Sequence, residues 1–226
     1  VTGPDWNADD PADAPLIAAN AARLAAHLRS TAEQRSLPSL SLARDWHTTL
    51  YSGCQVPCAD YVGNFRGDTR YPNLVGYEVG TAEVDAFGRN LWMGMYSARV
   101  VAELDVLERG FHRRLAALDA LVPALMRPTA DGLLGQVAVL AAAMHGEWIR
   151  IHPFANGNGR TARAWVYYVT ARYGVPFPWD IKPRPADPAY ARAARSSLGQ
   201  APDFVGDHRP TAALLAHRLQ ELLGTE

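Results

Sequence analysis

From Met95 to Tyr173 the apolar residues recur at spacings of three and four, run after run. That period commits this part of the chain to packed α-helices. The first stripe is Val100, Leu104, Leu107, Phe111, Leu115, Leu118 and Val122, and Pro123 and Pro128 flank the turn that follows. The second is Leu133, Leu134, Val137, Leu140, Ala141, Met144 and Trp148, with Asp131 expected as its N-cap. A third helix follows a loop rich in Asn and Gly. It is expected to stop at Gly174, where a left-handed glycine can end a helix, with Pro176 beyond. Upstream, Leu16, Ile17, Ala21, Leu24 and Leu28 predict a helix from about Asp13 to Arg29, and a shorter one spans Leu40 to Tyr51. Short helices are expected near Pro188–Leu198 and Thr211–Leu223. The polar, acidic residues before Asp13 read as a loose lead-in.

Only Gly53 to Gly94 has a different texture: frequent glycine, with Tyr, Val and Phe among turn residues. It predicts a loop and a β-hairpin, with strands near Leu74–Val79 and Asn90–Met93. The 226 residues then make one mainly α domain. At 48% hydrophobic and 20% charged, the chain can bury a real core, which excludes wholesale disorder and a disulfide-stapled scaffold. A net charge of −1 argues against a broadly basic nucleic-acid binder. No long apolar run suggests a membrane span, and no secretory segment opens the chain, so the expected compartment is the cytoplasm. Cys54 and Cys58 alone cannot complete a four-ligand zinc site and read as small buried thiols.

The chemistry concentrates at His152-Pro153-Phe154-Ala155-Asn156-Gly157-Asn158-Gly159-Arg160-Thr161-Ala162-Arg163. Gly157 and Gly159 permit positive φ and a close approach of ligand to backbone. Amide N–H groups running into a helix N-terminus form an anion nest. Arg160 and Arg163 share a helix face in the first turns, where the macrodipole favours acids. On that ground, replacing Arg163 should hardly alter stability. No Asp or Glu occurs between Glu147 and Asp180, whereas Arg150, Arg160, Arg163 and Arg172 do. That local excess of positive charge points to a phosphate-bearing ligand. His152, beside it, should be neutral and able to accept a proton. A hydroxyl activated by His152 and a phosphorus held by the nest amount to attack on a phosphoryl centre. Phe154 reads as the anchor of the loop.

This stretch resembles the Fic (Fic/Doc) signature, His-x-Phe-x-(Asp/Glu)-Gly-Asn-Gly-Arg-x-x-Arg, through His152, Phe154, Gly157, Asn158, Gly159, Arg160 and Arg163. Gly63-Asn64-Phe65-Arg66 looks like the element that precedes the family's hairpin flap. The resemblance implies a Fic-like helical bundle over residues 40–200, with a β-hairpin flap near 73–94 and an active-site loop at 152–163. Residues 1–39 would pack on it as lead-in and helix, and 201–226 would hold a C-terminal helix. It implies protein adenylyltransfer: AMP moves from ATP to a Ser, Thr or Tyr hydroxyl of a target protein. His152 would be the general base. Asn156, Gly157, Asn158, Gly159, Arg160 and Arg163 would bind the nucleotide. The flap residues Leu74, Val75, Gly76 and Tyr77 would dock the target as an added strand.

One position departs from the signature. Asn156 stands where the family has the acid that holds Mg²⁺, and a carboxamide is a weaker ligand for a hard cation. Two alternatives therefore stay open: a donor other than ATP (carrying UMP, GMP or phosphocholine), or a non-catalytic nucleotide-binding module. The family's autoinhibitory Ser/Thr-x-x-x-Glu pattern is absent, because no glutamate has Ser or Thr four residues before it. A separate antitoxin could supply that glutamate.

Overall fold

A computed structural model of the protein describes residues 4–80, 86, 91–124, 126–128 and 131–224. Among these residues seven α-helices carry the fold: α1 (Ala14–Glu33), α2 (Leu42–Leu50), α3 (Ser97–Leu121), α4 (Asp131–Ile151), α5 (Asn158–Arg172), α6 (Pro188–Ser197) and α7 (Arg209–Leu223). The helices expected from the apolar stripes are thus present, with ends shifted by a few residues. Asp131 opens α4 as its first residue rather than preceding it.

The α4–α5 hairpin is the spine. Helix α5 is buried along nearly its whole length, because α4 covers one side and α1 and α2 cover another. Helix α3 packs on α4, and α6 and α7 close the far side of α4. Trp46, Trp148 and Trp165 meet at the centre and are almost wholly buried. Their ring centroids lie 4.4 Å apart for Trp46–Trp165 and 5.8 Å for Trp148–Trp165. Helix α5 ends as expected. Gly174 has φ +63°, its N–H donates to the Ala171 carbonyl, and the Val175 N–H reaches back to Thr170. This is the double closure of a Schellman stop. Among the described residues no helix is long and apolar enough to cross a membrane. Cys54 and Cys58 are free thiols, and half-buried rather than buried.

Three sequence expectations need correction. The first is the strand at Leu74–Val79. Pro72–Leu74 is instead a 3₁₀ turn, and Gly76 has φ +70°. The side chains of Leu74 and Tyr77 are buried. The Leu74 carbonyl accepts from Gly67 N–H and the Tyr77 carbonyl from Arg66. Leu74 and Tyr77 thus face inward, and of these four residues Val75 and Gly76 are exposed. Among the described residues, antiparallel pairing is confined to Gly80 opposite Met93 and Met93 opposite Gly199. Residues 81–85 and 87–90, including Asn90, lie outside the described residues.

The second correction concerns charge. The arginine excess at 150–172 is local only in sequence. Arg150 pairs with Glu103 (2.9 Å) and Glu147 (2.7 Å), Arg172 with Asp119, and Arg160 with Asp9. Acids from α3 and the N-terminal segment supply what the stretch itself lacks.

The third concerns residues 4–12, which are pinned rather than loose. Trp6 and Ala8 are buried. Trp6 packs edge-on against Tyr51, with centroids 4.6 Å apart. The Pro4 carbonyl accepts from the Tyr61 hydroxyl at 2.6 Å.

Candidate active site

The loop between α4 and α5 is held from behind by one buried guanidinium. Arg66 is fully buried. Its Nε donates to the His152 carbonyl (2.7 Å), Nη1 to the Tyr77 carbonyl (2.8 Å), and Nη2 to the carbonyls of Met95 (2.8 Å) and Ile151 (3.2 Å). Its backbone N–H donates to Pro153 (2.7 Å), and Glu78 balances its charge at 3.3 Å. His152 leaves α4 at φ +54°, a conformation that costs energy in a non-glycine residue and needs such bracing. Gly94 makes room for it, because a Cβ there would sit 2.3 Å from the His152 Cβ.

His47 braces the other end. Its Nε2–H donates to the Asn156 carbonyl (3.0 Å), and its Nδ1 accepts from Gly63 N–H (3.1 Å). Its ring stacks on Phe154 at 4.0 Å, and Phe154 is fully buried, as an anchor should be. Burial first, and then the Arg160 charge, push the His47 pKa down to about 3 and outweigh the bond to Asn156, so the ring is neutral. The Asn158 side chain clasps Phe154 at both backbone groups, 2.9 Å each. It thereby builds the loop. Gly157 has φ +77°, and a Cβ there would meet the Tyr51 hydroxyl at 2.6 Å. Its N–H donates to Asn156 Oδ1 (2.7 Å). The open end of α5 has no side-chain cap and no acid in its first turn.

His152 has its tautomer fixed by the backbone. Its Nδ1–H donates to the Ile149 carbonyl at 3.0 Å. A carbonyl only accepts, so the proton resides on Nδ1 and Nε2 keeps its lone pair. Burial, and then the Arg66 charge, push the imidazole down to about 4 against the opposing effect of that bond.

His152, Asn156, Gly157, Asn158, Gly159, Arg160 and Arg163 all border one cleft of about 340 Å³, within the size range of small-ligand sites. The structure adds residues that the sequence reading did not single out. They are Asp9, from the lead-in, together with Lys182, Arg184, Tyr190 and Arg195. Arg160 donates to the Tyr51 hydroxyl, the Ala8 carbonyl (3.0 Å) and the Asp9 carboxylate. Its Nε has no partner among the described residues. Arg163 is occupied differently. Nε donates to the Asp180 carbonyl (2.9 Å), Nη2 to the Ile181 carbonyl (2.7 Å), and Nη1 to the Tyr190 hydroxyl (3.0 Å). It is buried and fixes the backbone just before Lys182.

The expectation that Arg163 is neutral for stability is therefore reversed. Arg163→Ala should lower stability by about 2–4 kcal/mol, because it strands buried carbonyls. At this chain length that is a melting drop of roughly 4–16 °C. Thermal denaturation without ligand measures it, and an unchanged melting temperature would return Arg163 to a purely ligand-binding role.

The residues present do not fit a divalent cation. Asn156 Oδ1 accepts the Gly157 N–H, and its Nδ2 donates to the Trp6 carbonyl at 2.7 Å. Among the described residues the cleft's one carboxylate is Asp9, and it is engaged with Arg160 and with Lys182 Nζ (2.8 Å). Among the described residues no group of three His, Cys, Asp or Glu could hold a metal.

A helical hairpin whose loop presents a neutral histidine over a basic cleft defines the class. The Fic/DOC family model matches residues 38–170. That is more than half of the chain, and the chain belongs to the Fic/DOC family, whose members are generally transferases. A Fic domain containing signaling protein from Bacteroides thetaiotaomicron has a similar structure. The TM-score is 0.58 at 20% identity, over 91% of this chain and 68% of that one. The N-terminal Fic domain of a Bartonella effector protein, from Bartonella sp. AR 15-3, aligns with a TM-score of 0.49 at 13% identity. That alignment covers 89% of this chain and 80% of the effector domain. Such identities show the fold alone. No curated protein matches the sequence.

Proposed function

We propose that the chain is a protein adenylyltransferase that moves AMP from ATP to a Ser, Thr or Tyr hydroxyl. The observation that carries this reading is the His152 tautomer. Ile149 holds the proton on Nδ1, which leaves Nε2 as the basic atom of a cleft that Arg160, Arg163, Lys182, Arg184 and Arg195 also line. In the reaction the hydroxyl oxygen forms a bond to the α-phosphorus. The bond from that phosphorus to the bridging oxygen breaks, pyrophosphate leaves, and the hydroxyl proton passes to His152 Nε2. The N-terminus of α5 and Arg160 face the charge that builds on the phosphate oxygens. No step calls on a metal, because the loop residues do not fit one.

Intact mass spectrometry after incubation with ATP, GTP, UTP or CDP-choline tests the proposal, alongside α-phosphate-labelled ATP added to a lysate. The expected result is a gain of about 329 Da per AMP on the chain itself, or label on a target protein, with ATP as donor. A gain only with another donor would replace ATP and keep the chemistry. No transfer from any donor, to itself or to a lysate, would overturn the reading.

A further inference from the structure

Asp9 is the clue. Its carboxylate sits between the Arg160 guanidinium and Lys182 Nζ, with Oδ1 on both cations. Yet the Asp9 side chain is 69% exposed. Burial pushes its carboxyl up, but the Lys182 hydrogen bond and the Arg160 and Lys182 charges outweigh that and hold it below the ordinary carboxylate value. A carboxylate oxygen shared by two cations in a cleft marks an anion seat. The seat is built from two sides. Arg160 comes from the first turn of α5. Lys182, the chain's only lysine, is placed by the carbonyls of residues 180 and 181 that Arg163 grips. The proline-rich segment around it limits its freedom further. The lead-in reaches the seat because Asn156 donates to the Trp6 carbonyl and Arg160 to the Ala8 carbonyl.

We infer that Lys182, with Arg160, neutralises the donor's phosphates in place of a divalent cation, and that Asp9 holds their seat until the donor displaces it. This rests on the proposed nucleotide-transfer function. The same Asn156 that fails as a metal ligand is the residue that ties the lead-in down. One substitution in the loop thus removes a carboxylate from the phosphate site and anchors the segment that brings Asp9 there. A donor phosphate supplies more negative charge and more acceptor oxygens than one carboxylate, so it wins the seat when present. Asp9, exposed and held by two ion pairs, is displaced without unfolding any helix.

Calorimetry with ATP on the full chain tests this, in EDTA and then with Mg²⁺, for wild type, Asp9→Asn, Asp9→Asn/Lys182→Gln and Asp9→Asn/Lys182→Arg. Wild type is expected to bind ATP in EDTA, and Mg²⁺ should not tighten it. Asp9→Asn should bind at least about tenfold more tightly, since it loses one charged competitor. Adding Lys182→Gln in that background should weaken binding by at least about tenfold, and Lys182→Arg should restore most of it. The Asp9→Asn background keeps loss of the Asp9–Lys182 pair from masking loss of the phosphate contact. Binding that requires Mg²⁺, or a Lys182→Gln variant that binds as its parent does, would overturn the inference and leave adenylyltransfer standing. Failure of ATP, GTP, UTP and CDP-choline alike to bind any of these proteins would overturn both.

Discussion

Arg66→Ala should cost about 3–5 kcal/mol of stability, the range for removing one partner of a buried charge network. Four backbone carbonyls, those of Tyr77, Met95, Ile151 and His152, lose their donor together. Glu78 loses a counter-charge while its carboxylate stays tied to Ser97 N–H (3.0 Å) and Oγ (2.9 Å) at the start of α3. For a chain of this length the melting temperature should fall by roughly 6–20 °C. Arg66→Lys should rescue little, because one ammonium cannot reach carbonyls on several sides of a planar fork. Chemical denaturation measures the loss. A variant within about 1 kcal/mol of wild type would mean that water or other donors satisfy those carbonyls, and that the strained His152 backbone is held by something else.

His152→Ala should abolish transfer, by at least about 10²-fold, while nucleotide binding and fold persist. The imidazole lines the cleft, and among the described residues its side-chain hydrogen bond is to the Ile149 carbonyl. The sign of its titration follows from its surroundings. A folded-state pKa of about 4, below the ordinary 6.5, means that the ring stays neutral as pH falls through 6.5 and protonates only near 4. Its contribution to stability is full above 6.5 and is lost as pH drops toward 4, because the unfolded chain takes up the proton first. Proton NMR of the His152 ring should show that displaced midpoint in the ligand-free protein. A midpoint near 6.5, or a His152→Ala variant that transfers within about threefold of wild type, would remove His152 from the general-base role.

Helix number and order were legible because amphipathic period is a local property. Each stripe reports the face that its own helix must bury, whatever it is buried against. The loop at 152–163 was legible for a related reason. Positive-φ glycines and a histidine next to a helix N-terminus carry their chemistry within a dozen residues. The segment at 72–79 was misread because Tyr, Val and Leu between glycines suit a strand and a buried turn alike. The choice was made by Arg66, which takes the Tyr77 carbonyl for itself.

The sequence by itself determined the helical frame, the hairpin that presents His152, and the anchoring of that loop by Phe154. The tertiary structure alone decided which charges meet. Glu103 and Asp119 reach Arg150 and Arg172 across the bundle. Arg163, which lines the cleft, also holds the backbone before Lys182. Residues 4–12 carry one large apolar residue, Trp6, and no helical period, so no pattern marks where they lie. What pins them is side chains donating to the carbonyls of Pro4, Trp6 and Ala8. Every residue has a carbonyl, so these contacts leave no trace in the order of side chains, and Asp9 reaches the cleft through them.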